Sequence, residues 1–292
     1  MKIAIHIGAH CTDDDLLTKS LLKNAGQLFQ EGVAVPGPTR YRRLLGQIMV
    51  KLKGSVASTD TQDMLIDELI DSKEVERIIL GHENLLGAHH RAIEGGRLYH
   101  LAARNTSWLR NLFPDHDVSL FIGISNMANF VPDLAARLDD EKREMMLGSV
   151  DPRDLFWADV IENIREANPD TPITVWCNED TPLIWPNVMQ VISGMDSEDK
   201  LERGSLDILE RITKPEGMKR LRTYLHENPF QNEVHRRRIL AAFLDKFAKD
   251  GAVEHEIELP GWTQDLVDEL TKNYESDIKE IANIPGVTVL SP

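Results

Sequence analysis

Ten residues near the N-terminus gather several groups capable of chemistry: His6-Ile7-Gly8-Ala9-His10-Cys11-Thr12-Asp13-Asp14-Asp15. A thiol beside an imidazole is a nucleophilic pairing. Three adjacent carboxylates oppose it, however, because negative charge raises a thiol's pKa, so Cys11 reads as an inert small side chain. The carboxylates themselves admit two readings. With His10, His82 or Glu83 they could hold a divalent ion. Alternatively they serve a helix start, with Thr12 as N-cap, Asp15 at the N3 position of a capping box, and Asp13 and Asp14 favoured by the positive end of the macrodipole. The second reading needs no convergence of distant residues. It is the expectation here, and no metal site is expected.

A second candidate is His82-Glu83-Asn84, directly after an apolar run, where a general base would sit. The plainer reading makes His82 and Glu83 a cap or part of a polar network. Two basic clusters, Arg40/Arg42/Arg43 and His235-Arg236-Arg237-Arg238, could receive an anionic substrate, since a guanidinium fork matches carboxylate and sulfate. A solvated helix face or an ion-pair network is the commoner use of such runs. Trp157, Trp176 and Trp185 read as core residues.

The elements that must position these groups follow from hydrophobic period. Ile3–Ile7, Arg77–Gly81, Val118–Ile124, Ile173–Cys177 and Val287–Leu290 are short apolar, β-rich runs. Between them the period turns helical. Leu17, Leu21, Ala25 and Leu28 mark one helix closed by Gly32, Thr59 to Ile70 a second, and Leu98 to Leu112 a third. Strands alternating with helices predict an α/β fold, a parallel sheet of about five strands covered on both faces. From about Gly194 to Tyr274 strand signals vanish and helices are expected, with Val234, Ile239, Phe243 and Phe247 as an apolar stripe. The expected organisation is a single α/β domain over 1–292 with extra C-terminal helices.

A parallel sheet offers its ligand site at the carboxyl ends of its strands, so the first loop and His82-Glu83 belong to one place. That loop resembles the opening of bacterial sulfotransferases, in which a strand runs into H-I-G-x-H-K-T-G-T-T and then a helix. The likeness rests on His6, Ile7, Gly8, His10 and Thr12. It continues through Asn24, Leu28, Gly32 and the Pro36-Gly37 turn, then His82-Glu83-Asn84-Leu85, then Glu179-Asp180-Thr181-Pro182-Leu183-Ile184-Trp185-Pro186. It touches about the first two-thirds of the chain. The resemblance implies a P-loop-type α/β fold and a loop, through Gly8, His10 and Thr12, that cradles 3′-phosphoadenosine 5′-phosphosulfate. It also implies a base at His82 or Glu83 acting on an acceptor hydroxyl.

The departures redirect the expected activity. Cys11 stands at the family's lysine position and Asp13-Asp14-Asp15 at its G-T-T. A phosphate loop aims backbone N–H groups, a helix N-terminus and a cation at an anion. At ~5 Å and an effective dielectric of ~20, each added carboxylate would repel the donor by on the order of 3 kcal/mol. Micromolar binding amounts to only ~8 kcal/mol. The family also holds the donor's 3′-phosphate with an Arg and a Ser after the strand corresponding to Val118–Ile124. Here Gly123 to Asp133 contains no Arg, and Asp133 takes the Ser position. The expectation is a sulfotransferase-like protein that has lost donor binding and serves as a ligand-binding or regulatory protein. The rival is an active transferase or metal-assisted enzyme with a rebuilt site at the strand ends.

Composition bounds the partners. The 292 residues carry 33 Lys+Arg against 48 Asp+Glu, a net charge of −15. That disfavours nucleic acid and anionic membranes, whose affinity comes largely from cationic side chains, while leaving room for a local basic pocket. The expected partner is a small or anionic ligand, with no cofactor. The two cysteines, Cys11 and Cys177, form no CxxC pair. Together with an N-terminus lacking a processing site, they lead us to expect a reduced, cytoplasmic setting. Cys11 and Cys177 could approach only if their strands are neighbours.

Overall fold

The structure, a computed structural model, describes residues 1–196, 201, 203–252 and 259–292. The parts of the expected helical region at 197–200, 202 and 253–258 lie outside the described residues.

The chain opens with β1 (Lys2–His6), whose Ile3 and Ile5 face one core and Ala4 the other. This is the period-2 alternation of a strand covered on both sides. Next come α1 (Leu16–Leu22), α2 (Ala25–Gln30) and a two-residue edge strand, β2 (Val33–Ala34). The helix expected from Thr12 to Gly32 is thus split in two at Asn24, whose side-chain amide donates to the carbonyls of Ser20 (3.0 Å) and Arg203 (2.6 Å). Helices α3 (Pro38–Leu52) and α4 (Thr59–Leu69) lead to β3 (Arg77–Gly81). A small antiparallel pair, β4 (Ile93–Glu94) and β5 (Arg97–Leu98), precedes α5 (Ala102–Arg110) and the long β6 (Asp117–Ile124). Then follow α6 (Met127–Ala136), α7 (Asp140–Leu147), α8 (Trp157–Ala167) and β7 (Ile173–Cys177).

The main sheet has six strands in the order β2-β3-β1-β6-β7-β8, with β8 at Val287–Leu290, and its pairings are parallel. The sixth strand beyond the expected set is β2. Two residues are too few to carry a periodic signal.

Its larger core packs one face of the sheet against α3, α4, α5, α6, α8 and the last helix, α13 (Gln264–Ile281). The opposite face is covered by α1 and α9 (Thr181–Ser193). Trp157, Trp176 and Trp185 are all buried in these cores, as expected. Helix α9 ends at Gly194 in a left-handed conformation (φ 66°), and the Arg77 guanidinium lies where a Cβ would go, donating from Nε to Ile192 O at 2.9 Å. Only glycine meets both demands there.

A third, smaller core unites α10 (Asp207–Ile212), α11 (Pro215–Glu227) and α12 (Glu233–Phe247) around Leu209, Met218, Leu221, Ile239 and Leu240. The expected stripe shifts accordingly: Val234, on the first turn of α12, is 56% exposed, and Leu240 is fully buried. Asp207 bolts this helical part to α1, accepting from Ser20 Oγ and Lys23 Nζ, both at 2.6 Å. Cys11 and Cys177 are both free, and β6 lies between their strands, so the two strands are not neighbours. Among the described residues no helix is long and apolar enough to cross a membrane.

Candidate functional site

Connections from β1 run to one face of the sheet, while those from its neighbours β3 and β6 run to the other. The carboxyl end of β1 is therefore a topological switch point, where loops diverge and leave a crevice. Here the loop 7–15 meets the segment 82–91 after β3, and residues 125–126 follow the other neighbouring strand, β6.

The first loop is tied into the fold from its base. The Ile7 and Ala9 N–H groups donate to Phe121 O and Gly123 O at 2.9 and 2.8 Å, and the Gly8 carbonyl accepts from Gly123 N at 2.8 Å. Gly8 has φ 120°, close against the backbone of Glu83. Thr12 does not cap the helix as expected; its hydroxyl donates to Ala9 O at 2.8 Å. Positive φ at Cys11, Asp14 and Asp15 delays the helix start to Leu16. The cap is supplied instead by Asp13, buried, whose Oδ2 accepts the Leu17 N–H at 2.8 Å.

The other two carboxylates diverge. Asp15, expected at the N3 position of a capping box, turns to Arg42, which grips it with both guanidinium ends (2.8 and 2.5 Å) and also donates to Gly81 O. Hydrogen bonding to Arg42 holds the Asp15 carboxyl below its usual range. Asp14 accepts from Arg137 at 2.8 Å, and Arg211 of α10 stands 3.5 Å from its other oxygen while donating to Asp13 O at 2.8 Å. Three arginines from three elements thus surround three aspartates. The carboxylates do not converge with one another, and among the described residues no group of three or more His, Cys, Asp or Glu is placed to hold a metal ion.

His10 is fully buried. Its Nε2 meets Asn84 Oδ1 at 3.0 Å and its Nδ1 the Tyr99 hydroxyl at 2.7 Å. An amide oxygen only accepts, so Nε2 carries the proton and Nδ1 accepts from Tyr99. That hydroxyl accepts in turn from the His10 backbone N–H at 3.0 Å. Burial, outweighing the Asn84 hydrogen bond, lowers the His10 pKa to about 4, so the ring is neutral at physiological pH. Burial also pushes the Cys11 thiol up to about 12, as its reading as an inert side chain requires.

The segment after β3 is more open. His82 is half-buried, its buried Nδ1 without a partner among the described residues, and burial lowers its pKa. The Glu83 carboxylate sits 3.7 Å from His89 Nε2, and its pKa is raised, first by burial and then by the first-loop aspartates against the pull of Arg137. The His89 ring lies 4.2 Å from that of His10. After β6, Ser125 Oγ and Asn126 N donate to Glu179 Oε1 at 2.9 and 2.8 Å, and Tyr274 reaches Glu179 Oε2 at 3.1 Å. An acidic side chain therefore occupies the end of β6 and β7.

Gly8, His10 and Thr12 all lie in the loop, and Glu83 is joined to it through His89 and the Gly8 contact. Of the basic clusters, Arg42 reaches the site, whereas Arg40 pairs with Asp71 at 3.1 Å and Arg236 donates to Leu183 O at 2.8 Å. Tyr99, His89, Arg137 and Arg211 escaped sequence reasoning. Only the His89-His90 doublet left a visible signal. Arg137 lies one turn past Asp133, outside the stretch Gly123 to Asp133 where the resemblance places an arginine.

A neutral imidazole relay, a carboxylate–imidazole pair and a fully engaged acidic loop thus share one crevice. No family model, curated protein or solved structure matches this chain.

Proposed function

We propose that this chain is a sulfotransferase-like protein of P-loop ancestry that no longer binds 3′-phosphoadenosine 5′-phosphosulfate and acts instead as a binding or regulatory protein for a small ligand entering over His10. One observation carries the reading: each aspartate that replaces the family's small loop residues already has an internal partner, Leu17 N–H, Arg137 or Arg42. A donor phosphate would have to displace those carboxylates from arginines that offset them, and no lysine compensates at Cys11. The neutral His10 adds no cation. A cytoplasmic setting accords with two free cysteines.

The test is a set of thermal melts with 3′-phosphoadenosine 5′-phosphate, ATP, Mg²⁺, Mn²⁺ and Zn²⁺. A ligand that binds only the native state raises the melting temperature by mass action. No shift is expected with either nucleotide; a nucleotide-specific rise of several degrees overturns the proposal.

The Glu83–His89 pair supports a second reading, an enzyme with a rebuilt site. A half-buried carboxylate with a raised pKa, 3.7 Å from an imidazole, has the make-up of a general base. Turnover that depends on Glu83, in a screen of hydroxyl acceptors and activated esters, would favour it.

A further inference from the structure

Beside Asn84 and Arg137, which bond His10 and Asp14 of the first loop, lies a cavity of about 520 Å³, lined in part by Asn84, His89, His90, Arg137, Asp139 and Lys142. Its hydrogen-bonding capacity is lopsided. The one carboxylate, Asp139, is already engaged, accepting from Lys142 N at 3.0 Å and from Lys142 Nζ. Lys142 shares that pair and His89 stands 3.7 Å from Glu83, while the other donors are uncommitted. Arg137 bonds through Nη2 to Asp14, leaving Nε and Nη1 without a partner among the described residues. Asn84 gives its carbonyl to His10, leaving its two amide hydrogens to donate. The His90 side chain makes no hydrogen bond among the described residues. Unspent donors and a spent acceptor, in a chain of net charge −15, make a local site for negative charge.

We propose that this cavity is an oxyanion-binding site, in which the free edge of Arg137, the Asn84 amide, His90 and Lys142 receive the carboxylate, phosphate or sulfate group of a small molecule. The proposal names the ligand class for the binding role above and rests on that reading. A guanidinium edge accepts such a group in bidentate fashion. Asp14, on the other edge, holds Arg137 in place and also competes for its charge. The same residue therefore positions the site and limits its affinity.

The full chain would be titrated calorimetrically with sodium sulfate, phosphate and succinate at constant ionic strength. One anion per chain should bind saturably; sulfate or phosphate preferred over succinate identifies a tetrahedral group, and the reverse a carboxylate. Arg137→Gln should weaken binding about tenfold or more, the usual worth of a hydrogen bond to a charged group. Lys142→Gln, at an exposed position that does not endanger folding, should weaken it several-fold, and Asp14→Asn should strengthen it. Absence of saturable binding by all three anions up to millimolar concentrations, or equal affinity in wild type, Arg137→Gln and Lys142→Gln, overturns the proposal. A parallel titration with 3′-phosphoadenosine 5′-phosphate separates the claims. Nucleotide binding that survives both cavity variants would defeat the loss of donor binding alone, and missing small-anion binding would defeat the cavity alone.

Discussion

The loops after β1 and β3 end side by side at the same edge of the sheet, yet they use their polar groups in opposite ways. In the first loop each aspartate is matched to a backbone N–H or a guanidinium, and the buried His10 ring has a partner on both nitrogens. In the loop after β3, Glu83 and His89 stand 3.7 Å apart, the Asn84 amide hydrogens are unused among the described residues, and the segment borders an open hollow. The contrast teaches where function can reside. Groups whose hydrogen bonds are all made inside the protein specify the fold; groups left unmade at a crevice are available to a ligand.

The largest effect should come from the first loop's relay. Tyr99→Phe leaves two buried groups of His10 unpaired, its backbone N–H and Nδ1, at a cost of about 3 kcal/mol. Urea unfolding would measure it, and a loss below about 1 kcal/mol would break the contrast.

Next is pH. His10 has its pKa lowered from 6.5 to about 4 in the folded state, so between those values the unfolded chain binds the extra proton. Stability therefore rises with pH across that window, and acidification from pH 7 to 5 should cost about 2 kcal/mol through this residue. Burial lowers the pKa values of His6, His82 and His89 as well and reinforces the slope. In His10→Gln the slope should flatten without vanishing, as read by denaturant midpoints at a series of pH values.

Arg42→Ala should cost less, about 1–2 kcal/mol. It frees Asp15 and the Gly81 carbonyl, but Asp15 is about a third exposed and water screens the loss. In the same unfolding assay, Glu83→Gln should change stability by less than about 0.5 kcal/mol. A large destabilisation there would mean that the second loop is structural too.

Much of the frame was legible in sequence. All five expected strands match in position to within a residue at either end, because each is a continuous apolar run bounded by polar residues; β1 begins and ends one residue early. The edge strand β2 was not legible, since its two residues pair only through the turn that Gly32 makes. The site was legible as a place rather than as a set of contacts. Gly8, His10 and Thr12 fell in one loop, and His82 and Glu83 after the neighbouring strand, as the rule for parallel sheets requires. The partners were not. Tyr99 lies 89 residues from His10 and Arg211 198 from Asp13, and nothing in local spacing reports a contact made by tertiary packing. The capping box failed for a local reason. It presumes that the helix begins at Thr12, whereas positive φ at Cys11, Asp14 and Asp15 uses those residues in a turn.

The central claim is that the first loop is already filled by the protein's own charges. Calorimetric titration of the wild-type chain with 3′-phosphoadenosine 5′-phosphate at moderate salt tests it most directly. The expected result is no nucleotide binding up to millimolar concentration beyond what the Arg137→Gln variant abolishes. A one-to-one isotherm with a micromolar dissociation constant, weakened in a Thr12→Ala or Gly8→Ala variant, would contradict it.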